Sequence, residues 1–528
     1  MRFFNTAGPI NPDLHYCLPP LSRFDLNEVM TLIEQQKYFV LHAPRQVGKT
    51  SYLLALMDYL NQTGTYHCVY VNVEVAQTAR EDVNRGMRAI LSELRSMARD
   101  YLDDPFVDGI WLEVLETSGG DAALSEVLTR WAQASDKPLV LLIDEIDALV
   151  GDTLISILRQ LRTGYAKRPI RFPISIVLCG VRDVRDYRIH SNREQAIITG
   201  GSAFNIKAES LCMGGFNRQE VERLYQQHTD ETAQLFDRGV LEAVWECTHG
   251  QPWLVNALGY EVCFRMTTGR DRTLPITIDM ILEAKEQLIV RRETHLDQLV
   301  DKLQEDRVRR VIHPMLQGED FDDTVLHDDI RYVIDLGLIR RDEAGLHIAN
   351  DMYREIIPRE LTTIFQLNLE STFRPAWYMA PNGSLDMSQL LTGFQQFFRE
   401  HSESWLERFD YKEAGPQLLL QAFLQRVVNG GGRIDREYGL GRRRTDLLVI
   451  WPFDGGVQRV VIETKLRRGV LRRTLQQGVE QMWGYMDRCG AHEGHLVIFD
   501  RDADKAWEEK IFMRDETYRG KTVTVWGM

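Results

Sequence analysis

Short apolar runs alternate with longer amphipathic stretches over the first two hundred residues of the chain. The runs cover residues 38–41, 67–73, 138–143 and 173–179, and they are rich in Val, Ile and Leu. Strands that are apolar on both faces are typical of a parallel sheet covered by helices on both sides. The pattern therefore predicts an α/β fold with a mostly parallel sheet over residues 37–207.

Beyond this core the spacing of apolar residues becomes helical. Helices are predicted at residues 219–228, 239–247 and 278–303, and residues 329–346 predict a helix followed by a small β-hairpin, as in a winged helix. Turn-forming residues accumulate between Arg374 and Ser388. The predicted domains are an α/β core (1–210), a helical lid (211–303), a winged-helix module (304–373), a linker (374–389) and a C-terminal α/β domain (390–528).

The C-terminal domain has a predicted order of helix, three strands, helix and strand. These elements cover residues 415–429, 433–438, 445–451, 459–465, 471–488 and 495–500. The turn Asp454-Gly455-Gly456 joins the second and third strands, so we expect these two strands to be antiparallel neighbours.

Composition and charge narrow the function classes. The 528 residues are 44% hydrophobic and 27% charged, as in globular proteins of several domains, and the net charge of -14 excludes a uniformly basic nucleic-acid-binding surface. Residues 430–490 are locally basic, with twelve Lys or Arg against seven Asp or Glu. The seven scattered cysteines indicate neither a disulfide framework nor a zinc ribbon. With no apolar run long enough for a bilayer and no signal-peptide pattern, we expect a cytoplasmic protein without a membrane partner.

A phosphate-binding loop is predicted where the first strand meets the first core helix. Backbone N–H groups of such a loop and the helix N-terminus surround the phosphates, the lysine reaches the β- and γ-phosphates, and the threonine ligates Mg²⁺. Alanine replaces the usual first glycine, which is compatible with a loop that needs no positive φ there. The predicted nucleotide contacts are Ala43, Pro44, Arg45, Gln46, Val47, Gly48, Lys49, Thr50 and Ser51.

A second strand of the core delivers two carboxylates at its C-terminal end. Asp144 is predicted to hold Mg²⁺ and Glu145 to act as general base in the hydrolysis of ATP. Arg182, after the next strand, is a candidate γ-phosphate sensor, or else forms an ion pair with Asp183 or Asp186. Arg291 and Arg292 are either an arginine finger or a solvated helix face.

The chain resembles the bacterial AAA-like ATPases related to the archaeal-type and STAND NTPases. The resemblance rests on the motifs above, on the segment around Leu178-Cys179-Gly180-Val181 and on Thr248-His249-Gly250-Gln251-Pro252-Trp253. The resemblance spans residues 3–360. It implies ATP and Mg²⁺ as cofactors and a homo-oligomer. It also implies that Tyr16 and Arg23 contact the adenine side of the nucleotide, unless the N-terminal segment simply packs on the domain.

A second set of chemical groups lies in the C-terminal domain. Asp446 begins one predicted strand and Glu463-Thr464-Lys465 ends the next, so antiparallel pairing brings these residues together. Asp446, Glu463 and the Thr464 carbonyl form a hard oxygen site for Mg²⁺ or Mn²⁺, and Lys465 orients the nucleophile. Gln481 and Tyr485 lie four residues apart on one helix face. Neighbouring arginines could follow a sugar-phosphate backbone: Arg442, Arg443, Arg444, Arg467, Arg468, Arg472 and Arg473.

This order of residues and elements resembles the PD-(D/E)XK nucleases, and Gln481-x-x-x-Tyr485 is similar to the QxxxY element of one branch. The resemblance covers residues 413–527. Two departures stand out. The first helix offers only Glu413, Gln417 or Gln421 where the family often has an acidic ligand, and Cys489 stands without the cysteine partners of the iron-sulfur members.

The sequence supports two main hypotheses. The first is an ATPase joined to a metal-dependent nuclease that acts on nucleic acid, with DNA favoured, in bacterial defence against phage or plasmid DNA. The second is a STAND-like, ATP-driven regulatory switch whose nuclease-like domain binds nucleic acid without cutting. The complete Asp-Glu-Lys set favours the enzyme, and the missing helix carboxylate favours the switch. A helicase-nuclease is a weaker hypothesis, because no second motor lobe is recognisable.

Overall fold

A computed structural model describes the chain over residues 1–183, 188–191, 196–199, 204–291, 299, 301–317, 327–343, 345–361, 378–408, 420, 423–424, 433–437, 446–467, 471–500, 502 and 505–528. The chain folds into two compact units. The first comprises Met1–His295 with Arg331–Arg341 and Ala349–Met352, and the second comprises Leu296–Ile330, Asp342–Ile348 and Tyr353–Met528.

A five-stranded parallel sheet forms the centre of the first unit. Its strand order is β4-β5-β6-β3-β9. The strands are β3 (Tyr38–His42), β4 (His67–Asn72), β5 (Leu139–Asp144), β6 (Ser175–Gly180) and β9 (Lys207–Cys212). The first four coincide with the predicted apolar runs to within two residues at each end, and β5 and β6 are buried throughout, as expected for strands covered on both faces.

Helices cover both faces of this sheet. They are α1 (Leu26–Glu34), α2 (Lys49–Gln62), α3 (Val83–Leu102), α4 (Phe106–Ser118), α5 (Ala123–Ala134) and α6 (Gly151–Gly164). The apolar sides of α1 and α2 pack on one face of the sheet, and those of α3 to α6 pack on the other. A parallel sheet between two helical layers is the α/β core that the sequence predicts.

A helical region follows the sheet in the same unit. It contains α7 (Arg218–Thr232), α8 (Val240–Thr248), α9 (Pro252–Tyr260), α10 (Thr267–Arg270) and α11 (Ile278–Arg291). The start of α7 has a capping box between Asn217 and Glu220. The N-terminal strands β1 (Phe3–Phe4) and β2 (His15–Tyr16) pair with each other in parallel, and β1 contacts α9 while β2 contacts α7. The N-terminal segment therefore packs on the helical region.

Further helices and two hairpins complete the description up to residue 408. The hairpin of β7 (Arg188–Ser191) and β8 (Ala196–Thr199) follows the β6 strand. Later elements are α12 (Asp306–Gln317), α13 (His327–Asp335), β10 (Ile339–Asp342), β11 (Gly345–Ile348), α14 (Asp351–Leu361) and α15 (Met387–Arg408). Strands β10 and β11 form a two-stranded sheet, so the predicted helix and small hairpin are present at residues 327–348.

The second unit contains a six-stranded mixed sheet of order β12-β13-β14-β15-β17-β16. Its strands are β12 (Arg433–Glu437), β13 (Asp446–Phe453), β14 (Gly456–Leu466), β15 (Glu493–Phe499), β16 (Phe512–Tyr518) and β17 (Lys521–Gly527). Strands β12 to β14 are antiparallel, and β15 is parallel to β14 across the intervening helix α16 (Leu471–Cys489). The short helix α17 (Trp507–Lys510) precedes β16.

Helices pack on both faces of this second sheet. Met482, Tyr485 and Met486 of α16 pack against Val461 and other residues of alternate positions on the strands. Phe394 and Phe398 of α15 contact the ring of Phe499, which belongs to the opposite set of positions on β15. The predicted helix at 415–429 lies mostly outside the described residues. Within the described part of the chain, no helix combines the length and apolar character that crossing a bilayer requires.

Gly250 fixes the junction between α8 and α9. Its φ of +73° lies in the left-handed region, and an added Cβ would meet the carbonyl oxygen of Phe216 at 1.9 Å. The Gly250 carbonyl accepts a hydrogen bond from the Phe216 N–H at 2.7 Å. Neither backbone can withdraw without breaking this contact.

We expect Gly250→Ala to lower the free energy of unfolding by about 2–4 kcal/mol, because it combines backbone strain with overpacking. Gly109→Ala is the matched control, since Gly109 lies inside α4 with ordinary φ and open space around it. The control should be neutral or stabilising by up to about 1 kcal/mol. Chemical denaturation measures the free energy of unfolding of both variants. Equal stability of the two variants would contradict the structural role of Gly250 at this junction.

Candidate functional site

The loop between β3 and α2 has the backbone geometry of a phosphate cradle. Gly48 has a φ of +103° and directly precedes α2, so the first N–H groups of the helix face the loop. Gln46 also has a positive φ, whereas Ala43 does not and is fully buried. The alanine in place of the usual first glycine is therefore accommodated without strain, as the sequence suggests.

The loop lysine is buried inside this cradle. Lys49 is 5% exposed, and its Nζ donates to the carbonyl oxygens of Ala43 and Pro44, each at 3.0 Å. An ammonium held at the mouth of a helix N-terminus adds positive charge to the place where the backbone already favours anions. The site can hold phosphate groups.

Asp144 lies beside the loop at the end of β5. It is completely buried, and its Oδ2 accepts hydrogen bonds from Thr50 Oγ1 at 2.7 Å and from the Tyr70 hydroxyl at 3.0 Å. Its Oδ1 accepts from the Glu145 backbone N–H at 2.9 Å. Thr50 and Asp144, which the sequence predicts as Mg²⁺ ligands, are therefore in direct contact. Their hard oxygens fit that ion.

Glu145 follows Asp144 in a left-handed backbone conformation, with a φ of +57°. Its partial burial, and then the nearby charges of Asp147 and Asp144, raise the pKa of its carboxyl to about 7, while Lys49 and Arg45 act in the opposite direction. A carboxylate whose pKa lies near neutral pH is well suited to accept a proton from water.

The N-terminal segment touches both the loop helix and the helical region. The Ile10 N–H donates to Ser51 Oγ at 3.0 Å, so Ser51 is turned toward this segment. Tyr16 is buried, with its hydroxyl 3.3 Å from His228 Nδ1. Arg23 donates to the Gly214 carbonyl and lies over the Phe216 ring. The structure gives Tyr16 and Arg23 packing contacts; their predicted contact with adenine stays a prediction.

Arg182 lies after β6 and has an acidic partner far away in the sequence. Its Nε is 3.2 Å from Asp335 Oδ2, and its guanidinium lies over the Tyr332 ring at 4.7 Å. Asp183 instead pairs with Lys207 at 2.5 Å, and Asp186 lies outside the described residues. Among the described residues Arg182 therefore pairs with Asp335 and not with Asp183, and the predicted pair with Asp186 stays a prediction.

Arg291 is exposed and its guanidinium pairs with the buried carboxylate of Glu261, and Arg292 lies outside the described residues.

The second candidate site lies where β13 meets β14. The antiparallel register places residue 446 directly opposite Glu463. Glu463 is 1% exposed, and Lys465 Nζ is 2.5 Å from its Oε1. Neither oxygen of Glu463 has a hydrogen bond of normal geometry within the described part of the chain. The Thr464 side chain belongs to the other face of the strand, so only its carbonyl is available as a ligand on this side.

Helix α16 covers the same face of the sheet. Tyr485 is buried in the same apolar cluster as Val461, which lies two residues before Glu463 on β14. Gln481 lies one helical turn earlier, and its Oε1 is buried without a hydrogen bond from any described residue. The helix therefore brings Gln481 and Tyr485 to the face that carries Glu463 and Lys465, as their spacing predicts.

Several predicted residues of this second site lie outside the part of the chain that the structure describes. The side chain of Asp446 and residues Glu413, Gln417, Gln421, Arg442, Arg443, Arg444 and Arg468 lie outside the described side chains, as does the side chain of Arg473. Arg467 is described and pairs with Asp500 at 2.5 Å, and Lys505 contacts the same carboxylate at 2.8 Å. The described side chains contain no group of three or more His, Cys, Asp or Glu that could hold a metal by themselves.

Two contacts at the nucleotide site are not indicated by the sequence. The Tyr70 hydroxyl donates to Asp144, which lies 74 residues away in the chain. Arg182 donates to Asp335, which lies 153 residues away. No local motif marks either residue, and only the strand order of the sheet could have indicated Tyr70.

A match to a family model supports the first site. Residues 32–187 match the family model of the AAA domain. No curated protein matches the chain. Similar solved structures include a Walker-type ATPase of Pyrococcus abyssi, at 14% identity over 67% of this chain and 99% of that one, with a TM-score of 0.46.

Two other solved structures are similar over a comparable length. The Thermotoga maritima RuvB Holliday junction branch migration motor has 14% identity over 63% of this chain and 95% of that one, with a TM-score of 0.33. The Aeropyrum pernix ORC1 protein in complex with DNA has 16% identity over 68% of this chain and 96% of that one, with a TM-score of 0.34.

The matched segment holds the loop, Lys49, Thr50, Asp144 and Glu145, in the sheet and helices described above. Residues 32–187 of this chain are therefore an ATP-binding P-loop ATPase domain of the AAA type.

Proposed function

We propose that this chain is an ATP-dependent nuclease. The AAA-type domain hydrolyses ATP, and the C-terminal α/β unit uses a divalent metal ion to cut nucleic acid, with DNA as the favoured substrate. The observation that carries the proposal is the state of Glu463. This carboxylate is buried, touches one lysine, and has no hydrogen bond from the described residues.

A buried carboxylate in this state is costly. Removing a carboxylate from water requires compensating hydrogen bonds or charges, and one ammonium supplies only part of that. A divalent cation would supply the rest. The donor set fits Mg²⁺ or Mn²⁺, because Glu463, the Thr464 carbonyl and the register position of Asp446 all offer hard oxygens.

Each residue of the site then has a chemical role. A bound metal ion would activate a water molecule and stabilise charge on the phosphate. Lys465, on the same strand face as Glu463, would orient the attacking water and offset the developing negative charge. Gln481 and Tyr485 would hold the nucleic acid or the water from the α16 side. These are the positions at which the chain resembles the PD-(D/E)XK nucleases, and the order of β12, β13, β14, α16 and β15 agrees with that resemblance.

The substrate class follows from charge. The chain is acidic as a whole, yet residues 430–490 are basic, and Arg467 and Lys505 share one carboxylate near the end of β15. Cations beside a metal-dependent site favour a phosphate backbone. Assembly into a homo-oligomer, and action against phage or plasmid DNA, are part of the proposal by analogy with proteins that join such domains.

A regulatory switch is the second candidate, and a contact in the first unit favours it. Arg182, the candidate phosphate sensor, is engaged by Asp335, and Gly337 lies against Pro44 of the phosphate-binding loop. Residues 332–337 thus contact both parts of the nucleotide site. A nucleotide that recruits Arg182 would have to compete with Asp335, so ATP could change the position of this segment.

We expect Lys49→Ala to abolish ATP hydrolysis, because the ammonium that serves the β- and γ-phosphates is lost. Lys37→Ala, a lysine just before β3, is the control and should hydrolyse ATP normally. Phosphate release at saturating ATP measures both variants. Retained turnover in Lys49→Ala would place the active nucleotide site elsewhere.

On the acid side of the pH–rate profile, which we call the acid limb, the rate of ATP hydrolysis should depend on the ionisation of Glu145. A general base works only when deprotonated, and a carboxyl pKa raised to about 7 leaves it increasingly protonated below that pH, so kcat/KM should fall as the pH drops through about 7. Asp147→Asn removes a negative neighbour and should lower the pKa of Glu145, which moves the acid limb to lower pH. Asp100→Asn, at an exposed position, should leave it in place. An acid limb that stays where it is in Asp147→Asn would argue against Glu145 as the base.

We expect Lys465→Ala to abolish cleavage of linear DNA in Mg²⁺ or Mn²⁺ while ATP hydrolysis continues. Losses of about 10²-fold or more are typical when a group that stabilises transition-state charge is removed. Arg459→Ala is the control, because Arg459 is an exposed cation toward the other end of the same strand. Normal cleavage by Lys465→Ala would refute the nuclease site. DNA binding without cleavage by the wild-type protein would favour the switch.

A further inference from the structure

The buried carboxylate of Asp144 is enclosed from both neighbouring strands. Tyr70 lies on β4 and pairs in register with Leu142, two residues before Asp144 and therefore on the same face of β5. Cys179 lies on β6, on the other side of Asp144, and burial together with the nearby Asp144 carboxylate raises the pKa of its thiol. The two strands thus flank the predicted Mg²⁺ ligand.

The donors to Asp144 differ in how firmly they are fixed. Thr50 belongs to the phosphate-binding loop and its helix, and the Glu145 N–H belongs to a residue in left-handed conformation. Both donors adjoin the place where a nucleotide binds. Tyr70 is instead anchored in a strand with backbone pairing along its whole length, and its side chain is 7% exposed. Its hydroxyl is therefore the donor to Oδ2 with the most rigid support.

A nearby tyrosine shows that packing alone does not account for the Tyr70 hydroxyl. Tyr52 of α2 belongs to the same apolar cluster and is completely buried, and its hydroxyl has no hydrogen-bond partner among the described residues. The cluster tolerates a tyrosine without using its hydroxyl, whereas the Tyr70 hydroxyl is directed to the carboxylate at 3.0 Å.

We propose that Tyr70 is a positioning residue for the ATPase: its hydroxyl fixes the plane of the Asp144 carboxylate so that Asp144 and Thr50 can hold the Mg²⁺ that accompanies ATP. A carboxylate can rotate about its Cβ–Cγ bond, and donors on both oxygens oppose this rotation. Residues that orient a metal ligand in this way alter metal affinity when they are lost. The inference rests on the proposed Mg²⁺ site at Thr50 and Asp144.

The test compares Tyr70→Phe with Tyr52→Phe. Each variant removes one phenolic oxygen from the same cluster and keeps the ring, so the core stays filled. Binding of ATP is measured by calorimetry in EDTA and across a Mg²⁺ titration, and the Mg²⁺ concentration for half-maximal ATP hydrolysis is measured in parallel. Thermal unfolding of the nucleotide-free proteins shows whether each variant is folded.

For Tyr70→Phe we expect about a tenfold higher Mg²⁺ requirement in both binding and hydrolysis, with unchanged affinity for ATP in EDTA. Tyr52→Phe should match the wild type. An Mg²⁺ requirement of Tyr70→Phe equal to that of Tyr52→Phe would overturn the inference. A wild-type protein that binds ATP without any effect of Mg²⁺ would instead overturn the proposed metal site itself.

A second variant keeps the test open if Tyr70→Phe does not fold. Cys179→Ala removes the thiol on the opposite side of Asp144, which is a weaker donor than a hydroxyl. It should raise the Mg²⁺ requirement in the same direction and by a smaller factor, again without changing ATP affinity in EDTA. No change in Cys179→Ala, together with an unfolded Tyr70→Phe, would assign these flanking groups to stability alone and refute the proposal.

Discussion

Burial of a carboxylate at the end of a strand is the constraint on which both candidate sites depend. A carboxylate without water must receive hydrogen bonds or positive charge, or the fold loses stability. Asp144 meets this requirement with protein groups alone, because Thr50, Tyr70 and the Glu145 N–H all donate to it. Glu463 does not, because Lys465 is its one charged partner within the described structure. The first site is complete as a protein network, whereas the second is the one for which we propose a cation.

The two sheets create these environments in different ways. In the first unit a parallel sheet between helical layers buries β5 completely, and the carboxyl ends of its strands meet the N-terminus of α2. In the second unit an antiparallel pair sets two acidic positions opposite each other, and the parallel β15 requires a crossover helix, which supplies Gln481 and Tyr485. In both units, functional groups from distant parts of the chain meet because strand ends converge.

Much of this arrangement follows from sequence alone, for identifiable reasons. The buried strands are continuous apolar runs, and the loop before α2 needs glycine and lysine at fixed spacing, so both can be read locally. The opposition of residues 446 and 463 is predictable because a tight turn at Asp454 and Gly455 sets the register between β13 and β14. Strands β16 and β17 were not predicted, since β16 is largely exposed and its pattern is that of a polar edge strand.

Contacts between distant segments could not be predicted in the same way. The pairing of Arg182 with Asp335 and the hydrogen bond from Tyr70 to Asp144 depend on which elements become neighbours, and no spacing along the chain encodes that. Tyr16 shows the same limit, because its ring contacts Phe4 and His228, and the sequence spacing does not indicate the contact with His228.

We propose that Glu463 lacks compensating hydrogen bonds because it belongs to a metal site. The most direct measurement is an experimental electron-density map from crystals of the full chain soaked in Mn²⁺, with anomalous data collected at the manganese absorption edge. We expect an anomalous peak about 2.0–2.2 Å from a Glu463 oxygen, with a second oxygen ligand from Asp446. A map with Mn²⁺ at Thr50 and Asp144 but none at Glu463, at saturating metal, would contradict it.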